Sequence, residues 1–268
     1  TFLLYKSYFP NRRIIYRLHN IEHIYYRKLF QTERAFFKKL YYGWESRLLK
    51  KYEKKVAPAA SLVLAVSPGD VKKFQKYCPK ANTAYLPVFL PHVSISGLLG
   101  SGSYCLYHGN LSVAENEAAC RWLMQKVFKD FSVPLVIAGR NPSSNFIQFA
   151  KPYQNVRLVA NPTDEEMSNL VQQAHINLVV SMNATGIKLK LINALLYGRH
   201  CIGNSAAIEG TGLEACCTLA DTPEELKSAI TKLMQVPYQR FDAEKRSQII
   251  PAQFDNEANA QKLIALLY

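Results

Sequence analysis

The sequence predicts an α/β protein in which residues 103–250 form a doubly wound parallel sheet with helices on both faces. Hydrophobic residues make up 49% of the chain, which is enough for a sizeable core. From Tyr104 onward, short apolar runs alternate with amphipathic stretches, which is the pattern of strands and helices in a parallel sheet. No apolar run reaches the about 18 residues that a membrane-spanning helix needs.

Residues 1–91 are expected to supply part of a second α/β domain. The predicted elements are a strand at 13–19, one or two helices within 21–56, a strand at 61–67, a helix from Pro68 and a strand at 83–89. The helices within 21–56 follow from apolar and aromatic residues at helical spacing, and Gly43 is their expected break. Residues 92–102 are rich in glycine and serine, so they are interpreted as a linker.

Strands and helices then alternate through the second part of the chain. Strands are predicted at 104–110, 134–140, 155–160, 176–182, 200–204 and 217–220. Helices are predicted at 114–130, near 143–151, from 162, at 187–198, from 222 and at 255–268. The helices from 162 and 222 begin with acidic residues, which are favoured at the positive end of a helix.

The positive charge of the chain lies in its first third. Residues 1–91 carry 18 lysines and arginines and 5 acidic residues, so they hold the whole net charge of +13, whereas residues 92–268 carry 15 of each sign. Such asymmetry favours two domains, one of which faces an anionic partner. Basic and aromatic residues mix within 25–55, a composition that suits an anionic membrane surface, with a solvated helix face as the alternative. No nucleic-acid recognition motif is present, so no nucleic-acid partner is expected.

The pattern of the cysteines and the first residues of the sequence predict a protein of the reducing cytosol. The six cysteines form no CxxC pair and have apolar neighbours, which predicts buried thiols in a reducing cytosol rather than a zinc site or disulfide bonds. The first residues lack a basic leader, a long apolar stretch and a cleavage site, so no signal peptide is expected. Because there is no initiator methionine, the chain is expected to be a fragment.

Candidate binding residues follow the predicted strands, because ligands of open parallel sheets lie beyond the carboxyl ends of the strands. Gly109 and Asn110 lie where the first strand of this sheet meets its helix, and glycine there lets a ligand approach the backbone. The loop that carries Glu209 and Gly210 follows the fifth strand. Each of these two segments is also consistent with a plain tight turn.

The stretch Ala184–Lys190 is the strongest candidate for an anion site. It follows a predicted strand and begins a helix, so several backbone N–H groups lack partners within the helix. These groups attract an anion and the ammonium of Lys188 adds charge, which makes a diphosphate the expected ligand. Asn193, further along the helix, carries an amide suited to a ribose hydroxyl. The alternatives are an exposed lysine on an ordinary loop and an asparagine on a helix surface.

Together these segments resemble the nucleotide-sugar half of the GT-B glycosyltransferases of family 4. The resemblance covers roughly residues 14–268 and rests on HGNLSVAENEAA, PLVIAGRNPS, NVRLVANPTDEEM and above all TGIKLKLINALLYGRHCIGNSAAIEGTG. It implies a Rossmann-like donor-binding domain at 103–250 and a partial N-terminal, acceptor-side domain at 1–91 that lacks its first part. It also implies a C-terminal helix at 251–268 that crosses back to the N-terminal domain.

The resemblance implies roles for individual residues. The backbone from Gly186 through Ile187 to Leu189 would hold the diphosphate, and Asn193 would contact the ribose. The base would lie against Val159 and Ala160.

Two further residues and three departures from the family's pattern complete the candidate site. His19, at a strand end within RLHNIEH, would face the donor sugar, and Arg140 is the next candidate for the phosphates. Thr185 and Asn193 stand where the family usually has two glutamates, and Lys188 stands where it usually has a glycine. The roles of the two acidic positions are therefore left open.

We expect a cytoplasmic glycosyltransferase, peripheral on the inner membrane, that moves a sugar from a nucleoside diphosphate donor to a bacterial surface-glycan or lipid-linked acceptor, with retention of configuration. His19 and Lys188 are the expected catalytic residues, and Lys188 would stabilise the departing diphosphate. No Asp-x-Asp motif is present, so no metal is implied, and no cofactor is expected beyond the donor substrate. The alternatives are a non-catalytic nucleotide-sugar-binding module and a nucleotide-sugar epimerase of the same architecture.

Overall fold

The computed structural model describes residues 6–33 and 35–268, and the described strands form two separate parallel sheets. The first sheet has the order β1-β2-β3, with β1 at Ile15–Leu18, β2 at Leu62–Ala65 and β3 at Thr83–Tyr85. Helices α1 (Glu22–Thr32) and α2 (Phe36–Val56) connect β1 to β2, and α3 (Pro68–Tyr77) connects β2 to β3.

Helix α1 ends at Thr32 and helix α2 begins at Phe36, and the two pack as a hairpin, so the expected break at Gly43 is wrong. Gly43 lies inside α2, where an added Cβ atom would come 2.9 Å from the ring of Phe30. The glycine therefore lets the two helices pack closely. Buried His23 of α1 and buried Glu53 of α2 join the two helices, because their Nδ1 and Oε2 atoms lie 2.5 Å apart.

The second sheet has six parallel strands in the order β6-β5-β4-β7-β8-β9. The strands are β4 (Cys105–His108), β5 (Leu135–Gly139), β6 (Val156–Ala160), β7 (Ile176–Val179), β8 (His200–Gly203) and β9 (Thr218–Leu219). The connecting helices are α4 (Ala114–Trp122), continued by a wider turn at Leu123–Val127, then α5 (Ser144–Ala150), α6 (Asp164–Gln173), α7 (Leu189–Tyr197), α8 (Ser205–Ile208) and α9 (Pro223–Leu233). Apolar strands covered by helices on both faces confirm the predicted doubly wound sheet.

The C-terminal helices differ from the expectation. Helix α10 (Arg240–Phe254) was not predicted, and it continues through Pro251, where a boundary was expected. A proline near a helix end removes only one backbone hydrogen bond, and the buried side chains of Ile250 and Phe254 hold α10 on the core. Helix α11 (Asn256–Leu267) then places Leu263 and Leu266 against the first sheet.

The segment 92–102 has a defined course along the second sheet. The Ser96 amide donates to the Leu196 carbonyl at 2.8 Å, and the Gly102 amide donates to His175 Nδ1 at 3.0 Å. An added Cβ atom on Gly97 would lie 2.6 Å from the Gly198 carbonyl oxygen, so glycine permits this close passage. None of the helices within the described ranges is long and apolar enough to cross a membrane.

Candidate functional site

The chain order of the second sheet reverses between β4 and β7, which opens a crevice beyond the carboxyl ends of these two strands. Both strands are parallel and in register, so their following loops meet at one edge. Gly109 follows β4, Gly186 lies in the loop after β7, and Gly210 lies in the loop after α8, which follows β8. The structure therefore brings the three glycine-bearing segments to one rim of the sheet.

The first part of the chain contacts this rim through helix α3, which follows β2. The Gly69 amide donates to the Gly210 carbonyl at 2.7 Å, and Lys73 Nζ donates to the Ala184 carbonyl at 2.7 Å. An added Cβ atom on Gly69 would lie 2.8 Å from the Cα atom of Gly210. The two rims thus touch backbone to backbone, which requires glycine on both sides.

Gly186 lies directly against the end of β1. Its φ angle is +69°, in the region that favours glycine, and an added Cβ atom would lie 2.5 Å from the His19 carbonyl oxygen. The side chain of His19 is exposed beside this contact. The structure therefore places His19 and Gly186 on opposite sides of the same cleft.

The Gly186 amide was expected to face a diphosphate, and the structure corrects this. It donates instead to Oδ2 of Asp70 at 2.8 Å, and Asp70 is buried at the start of α3. In the part of the chain that is described, the amides of Ile187, Lys188 and Leu189 have no hydrogen-bond acceptor. The free donors that an anion would meet therefore begin at Ile187.

Lys188 precedes the first residue of α7, where its side chain lies over the loop. Its Nζ donates to the Thr185 carbonyl at 2.7 Å. Burial lowers the pKa of Lys188, while the carboxylates of Glu115 and Asp70 act in the opposite direction. The lysine therefore lies in the same loop as the free backbone donors.

Thr185 does not present its polar groups to the cleft. The residue is buried, and both its amide and its hydroxyl donate to Oδ1 of Asn183, at 3.1 and 3.0 Å. Its carbonyl accepts from Lys188. The polar groups of Thr185 are therefore not available to the donor, because they form the hydrogen bonds that shape the loop. The following residues of the loop remain as candidates for donor binding.

The sequence reasoning missed two charged residues at this site. Lys190 Nζ donates to the Tyr107 hydroxyl at 2.9 Å and to the Val180 carbonyl at 3.2 Å, and burial lowers its pKa to about 8. Glu115 Oε1 accepts from Ser181 Oγ at 2.7 Å and from the Met182 amide at 3.1 Å. The only available signals were a second lysine two positions after Lys188 and an acidic residue in the first turn after Gly109.

Other candidates lie along the rim with little involvement in the core. Ala160 is exposed at the end of β6 and Val159 is half-buried beside it, so both are accessible from the edge. Asn193 is exposed on α7, and Glu209 is exposed just after α8.

Arg140 and Asn110 are engaged in local contacts. Arg140 lies 2.7 Å from Oδ1 of Asp164, and both side chains are exposed, so this pair contributes little to stability. Asn110 Oδ1 accepts from the amide and hydroxyl of Ser112 at 3.0 and 2.8 Å, which shapes the turn after Gly109.

His108 ends β4 beneath the crevice. Its Nε2 atom is buried without a hydrogen-bond partner among the described residues. Burial, together with the nearby charge of Lys190, lowers the pKa of His108 to about 4. His108 is therefore neutral near pH 7. Within the described ranges, no cluster of three or more His, Cys, Asp or Glu side chains is arranged to hold a metal ion.

Comparison with known proteins identifies relatives of this architecture. Residues 102–236 match the family model described as "Glycosyl transferases group 1". The chain is 27% identical over 222 residues to an uncharacterized 44.6 kDa protein in the cps region of Klebsiella pneumoniae. That alignment covers 78% of this chain and 56% of the relative, so the chain spans about half the length of the curated relative that it matches.

Solved structures of other proteins share the fold, and two of them illustrate it. A sucrose-phosphate synthase from Thermosynechococcus elongatus superposes with a TM-score of 0.76 at 16% identity, over 99% of this chain and 69% of that one. A TarM variant from S. aureus, in complex with fondaparinux, alpha-GlcNAc-glycerol and UDP, superposes with a TM-score of 0.70 at 14% identity, over 98% of this chain and 52% of that one.

Proposed function

The chain belongs to the group 1 glycosyl transferases and has their GT-B fold, and on this premise we propose that it moves a sugar from a nucleoside diphosphate donor to a surface-glycan or lipid-linked acceptor. Retention of the anomeric configuration is part of the proposal. So is a role for His19 beside the donor sugar and for Lys188 beside the diphosphate.

The proposal rests on the free hydrogen-bond donors at the start of α7, at the edge of the crevice. The amides of Ile187, Lys188 and Leu189 are without acceptors among the described residues, and the Lys188 ammonium lies in the same loop. Unpaired amides at a helix start favour an anion, and a lysine strengthens its binding. Such donors are most effective where negative charge develops, which in this reaction is on the departing diphosphate.

The relatives support the class of donor and of acceptor. The TarM structure contains UDP together with a GlcNAc-bearing compound, so a protein of this fold holds a nucleoside diphosphate. The relative from a cps region supports a role in polysaccharide synthesis. We propose the same classes here, with Val159 and Ala160 lining the base and Asn193 at the ribose.

We also propose a cytoplasmic protein that rests peripherally on an anionic membrane through α2. Large apolar side chains are exposed along one stretch of this helix at spacings of three and four residues: Phe37, Leu40, Tyr41, Trp44, Leu48 and Tyr52. Lysines and arginines alternate with them in the sequence. Aromatic rings at the interface and basic residues near anionic headgroups favour the same orientation.

A thermal-shift panel of nucleoside diphosphates and the matching nucleosides tests the donor class. A ligand at ten times its Kd stabilises the folded chain by about 1.4 kcal/mol. We expect one or two nucleoside diphosphates to raise the Tm while the nucleosides, which lack phosphates, do so less. Equal shifts for both, or none with any nucleoside diphosphate, would contradict the proposal. Release of nucleoside diphosphate from a nucleotide sugar then separates an enzyme from a binding module.

A further inference from the structure

Two cysteines lie side by side at the start of the last two strands of the second sheet. Strands β8 and β9 are parallel, with Ile202 opposite Thr218, and Cys201 and Cys217 come immediately before this pair. The backbone of Cys217 is already extended, with φ at −128° and ψ at 157°. Neighbouring strands lie about 4.7–4.9 Å apart, within the Cα separation of about 4.4–6.8 Å that a disulfide bond needs. The register therefore allows the two sulfur atoms to be joined without moving either strand.

The two cysteines also line a small cavity that is open to solvent. Its volume is about 240 Å³, and its wall carries Cys201, Cys216 and Cys217 together. Cys201 is buried, whereas Cys216 and Cys217 are half-buried. A cavity of this size holds several molecules as large as water, each of which takes about 30 Å³ in the liquid. An oxidant as small as hydrogen peroxide can therefore reach the sulfur atoms.

The environment of the pair favours a thiolate on Cys201. The hydrogen bond between the two thiols lowers the pKa of Cys201 and raises that of Cys217, so the Cys217 thiol is the donor. The positive charge of Arg246 also lowers the pKa of Cys201, although burial acts in the opposite direction. Arg246 is fixed in this place, because its guanidinium donates to the carbonyls of Leu195 and Gly198 at 3.1 and 2.8 Å. A thiolate beside a cation is the reactive form of a cysteine.

Two core cysteines, Cys105 and Cys120, provide a contrast. Both are fully buried in the hydrophobic core beneath the second sheet, and burial raises the pKa of each. A thiol that keeps its proton in apolar surroundings is inert towards oxidants. The reactive environment therefore belongs to the pair at the start of β8 and β9, and the core cysteines serve as an internal reference.

We propose that Cys201 and Cys217 are a site of reversible oxidation, at which a peroxide converts the two thiols into a disulfide bond. The Cys201 thiolate attacks one oxygen of hydrogen peroxide, which breaks the O–O bond, gives a sulfenic acid and releases hydroxide. The sulfur of Cys217 then displaces hydroxide from the sulfenic acid, and the S–S bond forms. The two thiols lose two electrons and two protons overall, and the peroxide is reduced to two molecules of water.

The disulfide bond closes residues 202–216 into a ring that includes part of the rim. Within this ring the Gly210 amide donates to Oε1 of Glu214 at 2.6 Å, and the Gly210 carbonyl accepts from helix α3 at 2.7 Å. The short turn Glu214–Cys216 leads directly to Cys217. Oxidation therefore restrains the loop that meets α3. In the reducing cytosol proposed for this chain the pair rests as thiols, so the bond is transient.

Mass spectrometry of the full chain tests the proposal. Folded protein is exposed to graded concentrations of hydrogen peroxide, then denatured in iodoacetamide, which alkylates the remaining thiols, and digested without reduction. Trypsin together with a protease that cleaves after glutamate separates Cys201 from Cys216 and Cys217. We expect a Cys201–Cys217 link at peroxide concentrations that leave the core cysteines free to be alkylated.

Three results of this experiment would overturn the inference. They are the absence of any link, a link through Cys216 in place of Cys217, and oxidation of the core cysteines at the same peroxide concentration. The mapping needs only the wild-type chain, so it does not depend on whether a substituted chain folds.

A matched pair of variants supplies a second measurement. Cys217→Ser should abolish the link, whereas Cys216→Ser, at the adjacent half-buried position, should leave it intact. Closing a ring of about 15 residues restrains the unfolded chain, so oxidation should raise the Tm of the wild type and of Cys216→Ser by about 6–12 °C. A thiol reductant should reverse the rise. An equal rise in oxidised Cys217→Ser would contradict the assignment to this pair.

Discussion

The buried carboxylate of Asp70 accepts a hydrogen bond of 2.8 Å from the backbone amide of Gly186, across the cleft between the two sheets. The two residues are 116 positions apart in the sequence. Asp70 thereby occupies one backbone donor of the loop that precedes α7. The bond joins the two halves of the chain at the place where a diphosphate is proposed to bind.

Replacing Asp70 should loosen this junction. Asp70→Ala leaves the Gly186 amide without its charged acceptor, so the free energy of unfolding should fall by about 1.5–3 kcal/mol. Asp70→Asn retains an acceptor oxygen and should cost less. Urea denaturation of the variants measures both effects. Asp164→Ala, whose exposed carboxylate pairs with exposed Arg140, is the control and should leave stability nearly unchanged.

Lys188 should contribute to the affinity for a nucleoside diphosphate but not to the affinity for the corresponding nucleoside. A charge-assisted hydrogen bond contributes about 1.5–3 kcal/mol, so Lys188→Ala should weaken nucleoside diphosphate binding about 10- to 150-fold and barely affect the nucleoside. Calorimetry with both ligands measures this. Lys72→Ala, an exposed lysine on α3, should change neither affinity. If both ligands weaken equally in Lys188→Ala, the lysine does not bind phosphate, and Arg140 becomes the next candidate.

His108 should make stability depend on pH. Its pKa falls from 6.5 to about 4 on folding because of burial and the charge of Lys190. Between these values the unfolded chain binds more protons, so stability is complete above pH 6.5 and declines as the pH falls towards 4. A shift of this size corresponds to about 3 kcal/mol. Unfolding midpoints from pH 7 to 4 would show a shallower decline in His108→Leu than in the wild type. His92→Leu, at an exposed position, should retain the wild-type slope.

The α2 surface should bind anionic vesicles. Replacing Phe37 and Trp44, which are 84% and 61% exposed, by serine should reduce binding to vesicles that contain phosphatidylglycerol. The same substitution at Phe241, which is 72% exposed on α10, should have no effect. Binding should also weaken with salt, because charges are screened beyond about 8 Å near physiological ionic strength. Equal binding to neutral and anionic vesicles in a sedimentation assay would refute the role of the basic residues.

The period of the apolar residues was enough to predict the doubly wound sheet. Strands buried on both faces need nearly continuous apolar runs, so β4, β5 and β7 are visible in the sequence as CLYH, LVIAG and INLV. The loop that ends each of these strands could then be assigned to one edge, because parallel strands point the same way. The sequence therefore predicts that Gly109 and Gly186 lie along one rim of the sheet.

Local pattern was a poor guide to breaks and helix ends. Gly43 is unfavourable within an isolated helix, yet here it lets α2 pack against Phe30. Pro251 disfavours a helix interior, yet buried Ile250 and Phe254 keep α10 continuous. Tertiary packing outweighs local propensity at both positions, and the packing partners are distant in the sequence.

The sequence by itself determined the sheet class, the rim on which the candidate residues lie and the lysine-bearing helix start. Only the tertiary structure decided which groups remain free for a ligand. The Asp70 carboxylate accepts the hydrogen bond of the Gly186 amide. The Thr185 hydroxyl donates to Asn183, and the Lys190 ammonium donates to the Tyr107 hydroxyl. Each buried polar group must find a partner, and that partner is set by the three-dimensional course of the chain rather than by neighbouring residues.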